Sequence, residues 1–366
     1  MTTINRKDLL RAVQLAASVT LRNSPKASLK GVLLKCNKNS IVAYGTDLEA
    51  SISVQITVNG GDAFEALPDA QRIVSVLSEC PDEEVVLQYE DGNLFIRGQF
   101  AETVLGDCDK PETYPQTVPA ESDEPLLLNA GKFSQALKRV AFCAARESAR
   151  YAMQGVRIEP LDGKLVLVAT DGKRMAVEEL ECPTSKQDAA DYIIPSKAIK
   201  LIQQACKGDE DEVTLSFTRN AVTVAVDGVT INANLLEGRY PTWREVFPKK
   251  YDFSTPLNAG SLLAVTRQAS VMFTEDTRGV DYAFDKSELT AKSSSETGKA
   301  RIKLPVAYDG KPVGLTMAGD LVAEMLAAWP GDAEFTMKGV ANNTVAAFEF
   351  PDGARHIIVP LSKGVK

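Results

Sequence analysis

The feature that most constrains the fold of this chain is an internal threefold repeat. Three stretches align without gaps over their cores, and they begin at Gly31, Gly155 and Gly279, so the spacing is 124 residues both times. They read GVLLKCNKNSIVAYGTDLEASI, GVRIEPLDGKLVLVATDGKRMAV and GVDYAFDKSELTAKSSSETGKARI. A fixed period with a matching apolar pattern indicates one structural unit used three times, and chance similarity between hairpins is the alternative.

Each repeat carries two helical patterns. Apolar residues at helical spacing precede each repeated stretch. They are Leu9, Val13, Ala16 and Ala17; Phe133, Leu137, Val140 and Ala144; and Leu262, Val265, Ala269 and Met272. A second helix is expected in windows that begin at Asp69, Ser196 and Gly319.

Strands are expected around these helices. Val213, Leu215 and Phe217 alternate with polar residues, and after a turn at Arg219-Asn220 the alternation resumes from Val222 to Val226, which predicts a half-buried hairpin. Strands with helices on one side favour an α+β fold. Proline-bounded polar linkers at Pro119–Pro125 and Pro248–Pro256 divide the chain into domains 1–123, 124–250 and 251–366.

Composition narrows the class of protein. The 366 residues suffice to bury a core without a metal or disulfide. The six cysteines form no C-x-x-C pair, which argues for reduced thiols in the cytoplasm and against a zinc site. No secretory signal or run of about 18 apolar residues is present, so we expect no membrane partner.

Basic charge is concentrated in three helical windows of an acidic chain. The windows 6–22, 132–150 and 195–207 hold twelve basic and two acidic residues, so the net charge of −8 leaves −18 for the rest. Lys132, Arg139 and Arg146 are seven residues apart and would line one helix face. A solvated face is the alternative, but basic helices in an acidic shell suit a protein that holds DNA inside. The second helix of repeat three, with Asp320 and Glu324, lacks this basic character.

Sequence motifs for catalysis are missing. His356 is the sole histidine and has no evident nucleophile partner. Neither a nucleotide-binding glycine loop nor a metal-binding pattern occurs, so we expect no enzyme, no cofactor and no metal. Acidic runs such as Asp82–Glu84 suit solvated turns, and Asp171-Gly172 is typical of a turn.

Four motifs, in this order and spacing, resemble the bacterial DNA polymerase III beta subunits, the sliding clamps. They are GTDLEASI (Gly45–Ile52), ATDGKRMA (Ala169–Ala176), LLEGRYPTWREVFP (Leu235–Pro248) and IIVPL (Ile357–Leu361). The resemblance covers essentially the whole chain. It implies three repeated clamp domains, each with two helices on antiparallel sheets, and a ring built as a head-to-tail homodimer.

Geometry supports a dimer independently. Two helices per repeat give six per chain, and at about 10 Å between helices six would enclose a bore of only ~19 Å. Duplex DNA is roughly 20 Å across, since its grooves are about 8 Å deep. Twelve helices would enclose a bore of about 38 Å, so two chains make the smallest ring that works.

The resemblance also implies a partner-peptide pocket, a dimer interface and DNA-facing residues. The pocket would use Met153, Thr170, Gly172, Arg174, Met175, Pro241, Val246, Val359, Pro360 and Leu361. Phe100 and Leu105 would face Val271 and Met272 of the second copy. The residues expected to face DNA are Arg22, Lys132, Lys138, Arg139, Arg146, Arg150, Lys197 and Lys200. Core packing is the alternative for the pocket residues.

The implied function is that of a clamp encircling double-stranded DNA as a processivity factor. Its partners would be the replicative polymerase, the clamp loader, repair polymerases, mismatch-repair proteins and ligase. Lys173, Glu245 and Ser362 depart from the family pattern, and Lys363–Lys366 extends past the usual end, so the peptide preference stays open. Two other readings remain: a clamp-like scaffold without DNA, favoured by the acidic helix of repeat three, and an enzyme built from scattered carboxylates.

Overall fold

The structure of the protein is a computed structural model. The structure describes residues 1–366 apart from 107, 118, 123, 148–149, 187–190, 209–210, 275–277, 297, 341–344 and 362–366. Ser362 and Lys363–Lys366, which depart from the family pattern, therefore lie outside the described residues. In the described part, no helix has the length and apolar character needed to cross a membrane.

Six α-helices occur in the described residues, two in each expected repeat. They are α1 (Arg6–Ala17), α2 (Ala70–Glu79), α3 (Ala130–Ala141), α4 (Ser196–Ala205), α5 (Ala259–Ser270) and α6 (Gly319–Ala327). The Asn5 and Asp69 side chains cap α1 and α2 by accepting from backbone N–H groups of the first turn. The predicted helices are thus confirmed.

Two helix ends differ from the sequence prediction. Helix α3 ends at Ala141, so Arg146 lies beyond it and cannot share a helix face with Lys132 and Arg139. The prediction of one basic face was therefore wrong. A helical period extrapolated past residue 141 missed the turn that follows it, in which the N–H of Cys143 donates to the carbonyl of Val140. Met272 likewise follows the end of α5.

The strands alternate with these helices along the chain. The first twelve are β1 (Thr2–Asn5), β2 (Leu33–Cys36), β3 (Ser40–Thr46), β4 (Ala50–Thr57), β5 (Phe64–Ala66), β6 (Glu84–Glu90), β7 (Asn93–Arg97), β8 (Glu102–Leu105), β9 (Leu126–Asn129), β10 (Gly155–Leu161), β11 (Lys164–Thr170) and β12 (Arg174–Glu181). The next twelve are β13 (Tyr192–Pro195), β14 (Glu212–Phe217), β15 (Ala221–Val226), β16 (Val229–Asn234), β17 (Phe253–Asn258), β18 (Gly279–Asp285), β19 (Glu288–Ser295), β20 (Gly298–Pro305), β21 (Val313–Ala318), β22 (Glu334–Gly339), β23 (Ala346–Glu349) and β24 (Arg355–Ile358). The hairpin predicted across Arg219-Asn220 is confirmed as β14 and β15.

The second predicted linker extended too far. Its last residues form β17, which pairs with β22 and buries Phe253, Thr255 and Leu257 on alternate positions. The strand contains Pro256, the predicted end of that linker. Because β17 lies at the edge of its sheet, a residue without an N–H is tolerated there.

The chain divides into two compact units. The first contains Met1–Ser134, Cys182–Thr184 and Lys197–Leu236. Its eight-stranded antiparallel sheet has the order β5-β2-β3-β4-β16-β15-β14-β9, and its four-stranded sheet has the order β1-β6-β7-β8. Helices α1 and α2 contact each other, and Gly45 lets α1 approach β3, since a Cβ there would lie 1.9 Å from the Ala16 carbonyl oxygen.

The second unit contains Gln135–Glu181, Ser185–Ser196 and Glu237–Lys366. It repeats the same plan, with an eight-stranded sheet β13-β10-β11-β12-β24-β23-β22-β17 and a four-stranded sheet β20-β19-β18-β21. Helices α5 and α6 cover a core that includes Tyr282, Phe284 and Phe348. The expected α+β fold of repeated helices on antiparallel sheets is confirmed.

Candidate functional site: a peptide pocket in the second unit

The candidate pocket is built on the turn between β11 and β12. The Asp171 carboxylate accepts hydrogen bonds from the N–H groups of Lys173 and Arg174, at 2.9 and 3.0 Å. The Thr170 hydroxyl accepts from the Gly172 N–H at 3.1 Å and donates to the Arg174 carbonyl at 2.7 Å. Gly172 has a φ of +86°, which glycine adopts without strain. The turn is therefore rigidly held, and the sequence TDGKR specifies it.

The segment 355–361 runs beside this turn. Strand β24 pairs antiparallel with β12, so that Ile358 lies opposite Arg174. Beyond the strand, the N–H of Val359 donates to the Lys173 carbonyl at 2.8 Å, and the N–H of Leu361 donates to the Thr316 carbonyl at 2.7 Å. The backbone of the terminal segment is thus fixed, while the Val359 and Leu361 side chains remain exposed.

Arg174 is one of the predicted pocket residues, and it does not present a free guanidinium. The residue is 7% exposed, and its Nε donates to Asp171 at 3.1 Å. Its Nη1 donates to Glu324 of α6 at 2.7 Å, and its charge lies 5.1 Å from the centre of the Phe142 ring. Charge-assisted bonds of this kind fix a side chain firmly. Neither Glu324 nor Phe142 was predicted, because no sequence signal links residues about 150 and 32 positions away.

Met153 and Pro241 are two further predicted pocket residues. Met153 lies against the β11–β12 turn, and Pro241 lies in a cleft. The Met153 Cε is 3.5 Å from the position that a Cβ on Gly172 would occupy, so the two residues pack together. Pro241 lines an open cleft of about 720 Å³ with Ala152 and Tyr240. The Tyr240 hydroxyl donates to the Val168 carbonyl at 3.1 Å, which ties this segment to β11.

Val246 has a different setting. It ends the 3-10 helix Trp243–Val246 and is exposed. The helix is anchored by Trp243 and Arg244, which both bond to the Glu159 carboxylate. That carboxylate has a lowered pKa, because the hydrogen bonds and charges of these neighbours outweigh its burial. A pocket role for Val246 stays a prediction.

A buried aromatic cluster packs around His356 of β24. His356 of β24 is fully buried, stacks on Phe142 with ring centres 5.9 Å apart, and makes T-shaped contacts with Trp329 and Phe350. Burial, and then the charge of Arg139, lower the pKa of His356 to about 3. His356 is therefore a neutral core residue, and its role is structural.

This burial predicts a pH dependence of stability. Between pH 3 and 6.5 the unfolded chain binds a proton at His356 that the folded chain does not, so acidification costs stability, at most about 1.4 kcal/mol per pH unit. We expect His356→Phe to gain stability relative to the wild type as the pH is lowered from 6.5 to 5. Urea denaturation across that range measures the difference, and a difference independent of pH would contradict the prediction.

Glu178→Gln is the control for this pH dependence, because its stability should change in the opposite direction. Burial raises the pKa of Glu178 to about 7, despite its bond to Arg139. The folded state therefore binds the extra proton, and this contribution to stability falls as the pH rises from 4.5 to 7. Glu178→Gln should consequently show the opposite trend to His356→Phe.

The residues predicted to face DNA have different environments. Arg22, Lys132, Lys138, Arg146, Arg150 and Lys200 are exposed. Lys197 is about half exposed and forms an ion pair with the buried Asp47. The Arg139 side chain is only 12% exposed, bonds to Glu178 and Asp352 at 2.8 and 2.7 Å, and stacks over Trp329. The charge of Arg139 is compensated within the fold, so the structure gives it a packing role.

Two family models match the chain. The N-terminal domain of the DNA polymerase III beta subunit matches residues 1–117, and the central domain matches residues 127–242. Together they cover more than half of the chain. The chain belongs to the DNA polymerase III beta subunit family. The role that comes with this family is that of a sliding clamp, a processivity factor in DNA replication.

Similar proteins and structures agree with the family. The beta sliding clamp of Chlamydia pneumoniae is 24% identical over 84% of both chains, and that of Pseudomonas putida is 20% identical over 98% of this chain and 99% of that one. Among solved structures, the DNA polymerase III subunit beta of Pseudomonas aeruginosa has a TM-score of 0.91 at 20% identity, covering 98% of this chain and 99% of that one. A sliding clamp from the same bacterium bound to griselimycin has a TM-score of 0.93 at 20% identity, covering 99% of both. The chain therefore has the sliding-clamp fold.

Proposed function

We propose that two copies of this chain close head to tail into a ring around duplex DNA and tether the replicative polymerase to it. Each copy contributes three clamp domains, 1–123, 124–250 and 251–366. The ring acts in the cytoplasm without catalysis, and it holds its partners through the pocket beside the β11–β12 turn. These partners are the polymerase, the clamp loader and repair proteins with a clamp-binding peptide.

The sheet topology carries this proposal. In both eight-stranded sheets, four strands of one repeat join four strands of the next, through β4 with β16 and through β12 with β24. Each of the two four-stranded sheets corresponds to one half of such an eight-stranded sheet. The sheet with β8 at its edge comes from repeat one, and the sheet with β20 at its edge comes from repeat three. Pairing β20 of one copy with β8 of another would complete a third eight-stranded sheet of the same plan, and unequal edges that pair head to tail can close a ring.

The predicted interface residues flank these two edges. Phe100 is 77% exposed and lies in the turn before β8, and Leu105 is the last residue of β8. Val271 is 74% exposed at the end of α5, and the Met272 sulfur lies 3.0 Å from the position of a Cβ on Gly298, the first residue of β20. Exposed apolar side chains beside an open strand edge favour a protein partner.

The scaffold alternative loses its support in the structure. It was favoured by the acidic residues of α6, yet Glu324 pairs with Arg174 and Asp320 lies 3.8 Å from Arg278. Each of these two acids has a basic partner within the second unit. Their negative charge therefore does not argue against DNA binding.

A charge at the interface tests the dimer. We expect the wild-type chain to be a dimer at micromolar concentration and Val271→Glu to be a monomer, because burying an unpaired carboxylate costs several kcal/mol. Sedimentation velocity measures both. Leu48→Glu is the control, since Leu48 is also exposed and lies in the turn between β3 and β4. A monomeric wild type, or a Val271→Glu dimer as stable as the wild type, would contradict the proposal.

A further inference from the structure

The turn between β7 and β8 has an unusual support. It runs from Gly98 to Ala101, and the N–H of Gly98 donates to the Ala101 carbonyl at 2.7 Å. Phe100 stands exposed in this turn, two residues before the edge strand β8. In the corresponding hairpin of repeat two, β15 and β16 are joined by Asp227 and Gly228, both with positive φ, as in a compact two-residue turn.

A distant carboxylate occupies the centre of the β7–β8 turn. Asp82 Oδ1 accepts from the N–H groups of Gln99 and Phe100, both at 3.1 Å, and Oδ2 accepts from that of Ala101 at 3.2 Å. Three successive N–H groups that converge on one anion form an anion-binding nest. Asp82 is 5% exposed, so the prediction of a solvated turn is wrong for this residue. Within the described residues it makes no ion pair, and its carboxylate accepts from the three N–H groups of the nest and from the Cys80 thiol, at 3.8 Å.

Both sides of this contact are fixed. A Cβ on Gly98 would lie 2.0 Å from Asp82 Oδ2, so the glycine is what admits the carboxylate. On the other side, Nε of Arg6 donates to the Asp82 carbonyl at 2.9 Å, and Nη1 of Arg6 donates to the Leu77 carbonyl at 2.8 Å. Arg6, the first residue of α1, therefore ties the backbone of Asp82 to the last turn of α2.

We propose that Asp82 is a positioning residue for ring closure. It holds the 98–101 turn in one conformation, so that Phe100 and the edge of β8 are ready for the second copy. Binding is tighter when the ordering of an interface loop is completed before association. Strands β16 and β24, which stand in the place of β8 in the other repeats, already have partners within the chain. The inference rests on the proposed dimer.

The test removes the carboxylate while preserving its size. Asp82→Asn keeps one acceptor and turns an N–H₂ group toward the nest, where it meets further donors. We expect faster amide exchange at residues 99–101 and at least a tenfold rise in the dimer dissociation constant, measured by sedimentation equilibrium. Binding of a polymerase-tail peptide to the second unit should change less than twofold. Asp91→Asn is the control, because Asp91 lies in the β6–β7 turn of the same sheet.

A second variant acts on the same contact from the other side. Gly98→Ala displaces the Asp82 carboxylate, because the added Cβ would lie 2.0 Å from its Oδ2. We expect the same rise in the dimer dissociation constant. If Asp82→Asn does not fold, Gly98→Ala tests the role of Asp82 in its place. A wild-type chain that is monomeric would overturn the proposed dimer and this role together. A dimeric wild type whose two variants dissociate within twofold of it, or exchange no faster at residues 99–101, would overturn the role of Asp82 alone.

Discussion

Rings of this protein that have been loaded on a nicked DNA circle should stay bound through a wash in high salt. They should leave the DNA within seconds to minutes once the circle is cut. A closed ring is retained by topology, and sliding on a circle never brings it to an end. Direct binding to duplex should be weak, with an affinity that falls with salt at a slope of roughly −0.9 per phosphate neutralised. Gel filtration of loaded complexes, before and after linearisation, measures the retention.

The same experiment tests the exposed basic residues. Lys132→Glu with Lys138→Glu reverses two exposed charges on α3, and should slow loading more than it shortens residence on the circle. Arg139 is unsuitable for this purpose, because its reversal would place a carboxylate beside Glu178 and Asp352. The matched control is Lys249→Glu with Lys250→Glu, two exposed residues outside the basic windows. Retention on blunt linear DNA equal to that on circles would contradict encirclement.

Changing Leu361 to Asp should abolish binding of a peptide from the tail of the replicative polymerase. Leu361 is 39% exposed, and its backbone N–H is fixed by the Thr316 carbonyl, so the substitution leaves the chain in place. Loss of an apolar contact costs about 2 kcal/mol, or ~30-fold in affinity, and an unpaired carboxylate facing an apolar peptide adds to that. Fluorescence anisotropy with a labelled peptide gives the affinity.

Leu21→Asp provides the comparison, since Leu21 is 37% exposed and lies in the first unit. Its peptide affinity should match the wild type, and thermal unfolding should be similar for both variants. An unchanged affinity for Leu361→Asp would mean that the pocket lies elsewhere. Deleting residues 359–366 should have the same effect as Leu361→Asp.

Several features were predictable because they are encoded locally. The helix periodicities and the strand alternation at Val213 and Leu215 both act within a few residues. The 124-residue spacing revealed three copies of one unit, and the turn TDGKR folds through contacts between neighbours. Sequence alone therefore determined the α+β repeat and the local turn at Asp171-Gly172.

Other features depend on residues far apart in the chain, and only the tertiary structure decided them. Arg139 carries the charge expected of a DNA contact, but Glu178, Asp352 and Trp329 enclose it. Glu324 looked like evidence against a clamp and instead fixes Arg174. A side chain's charge is written in the sequence, whereas its partners are set by how strands pair and helices pack. Which strand edges remain open, β8 and β20, is likewise a property of the folded sheets, because an edge is defined by the neighbour that a strand lacks.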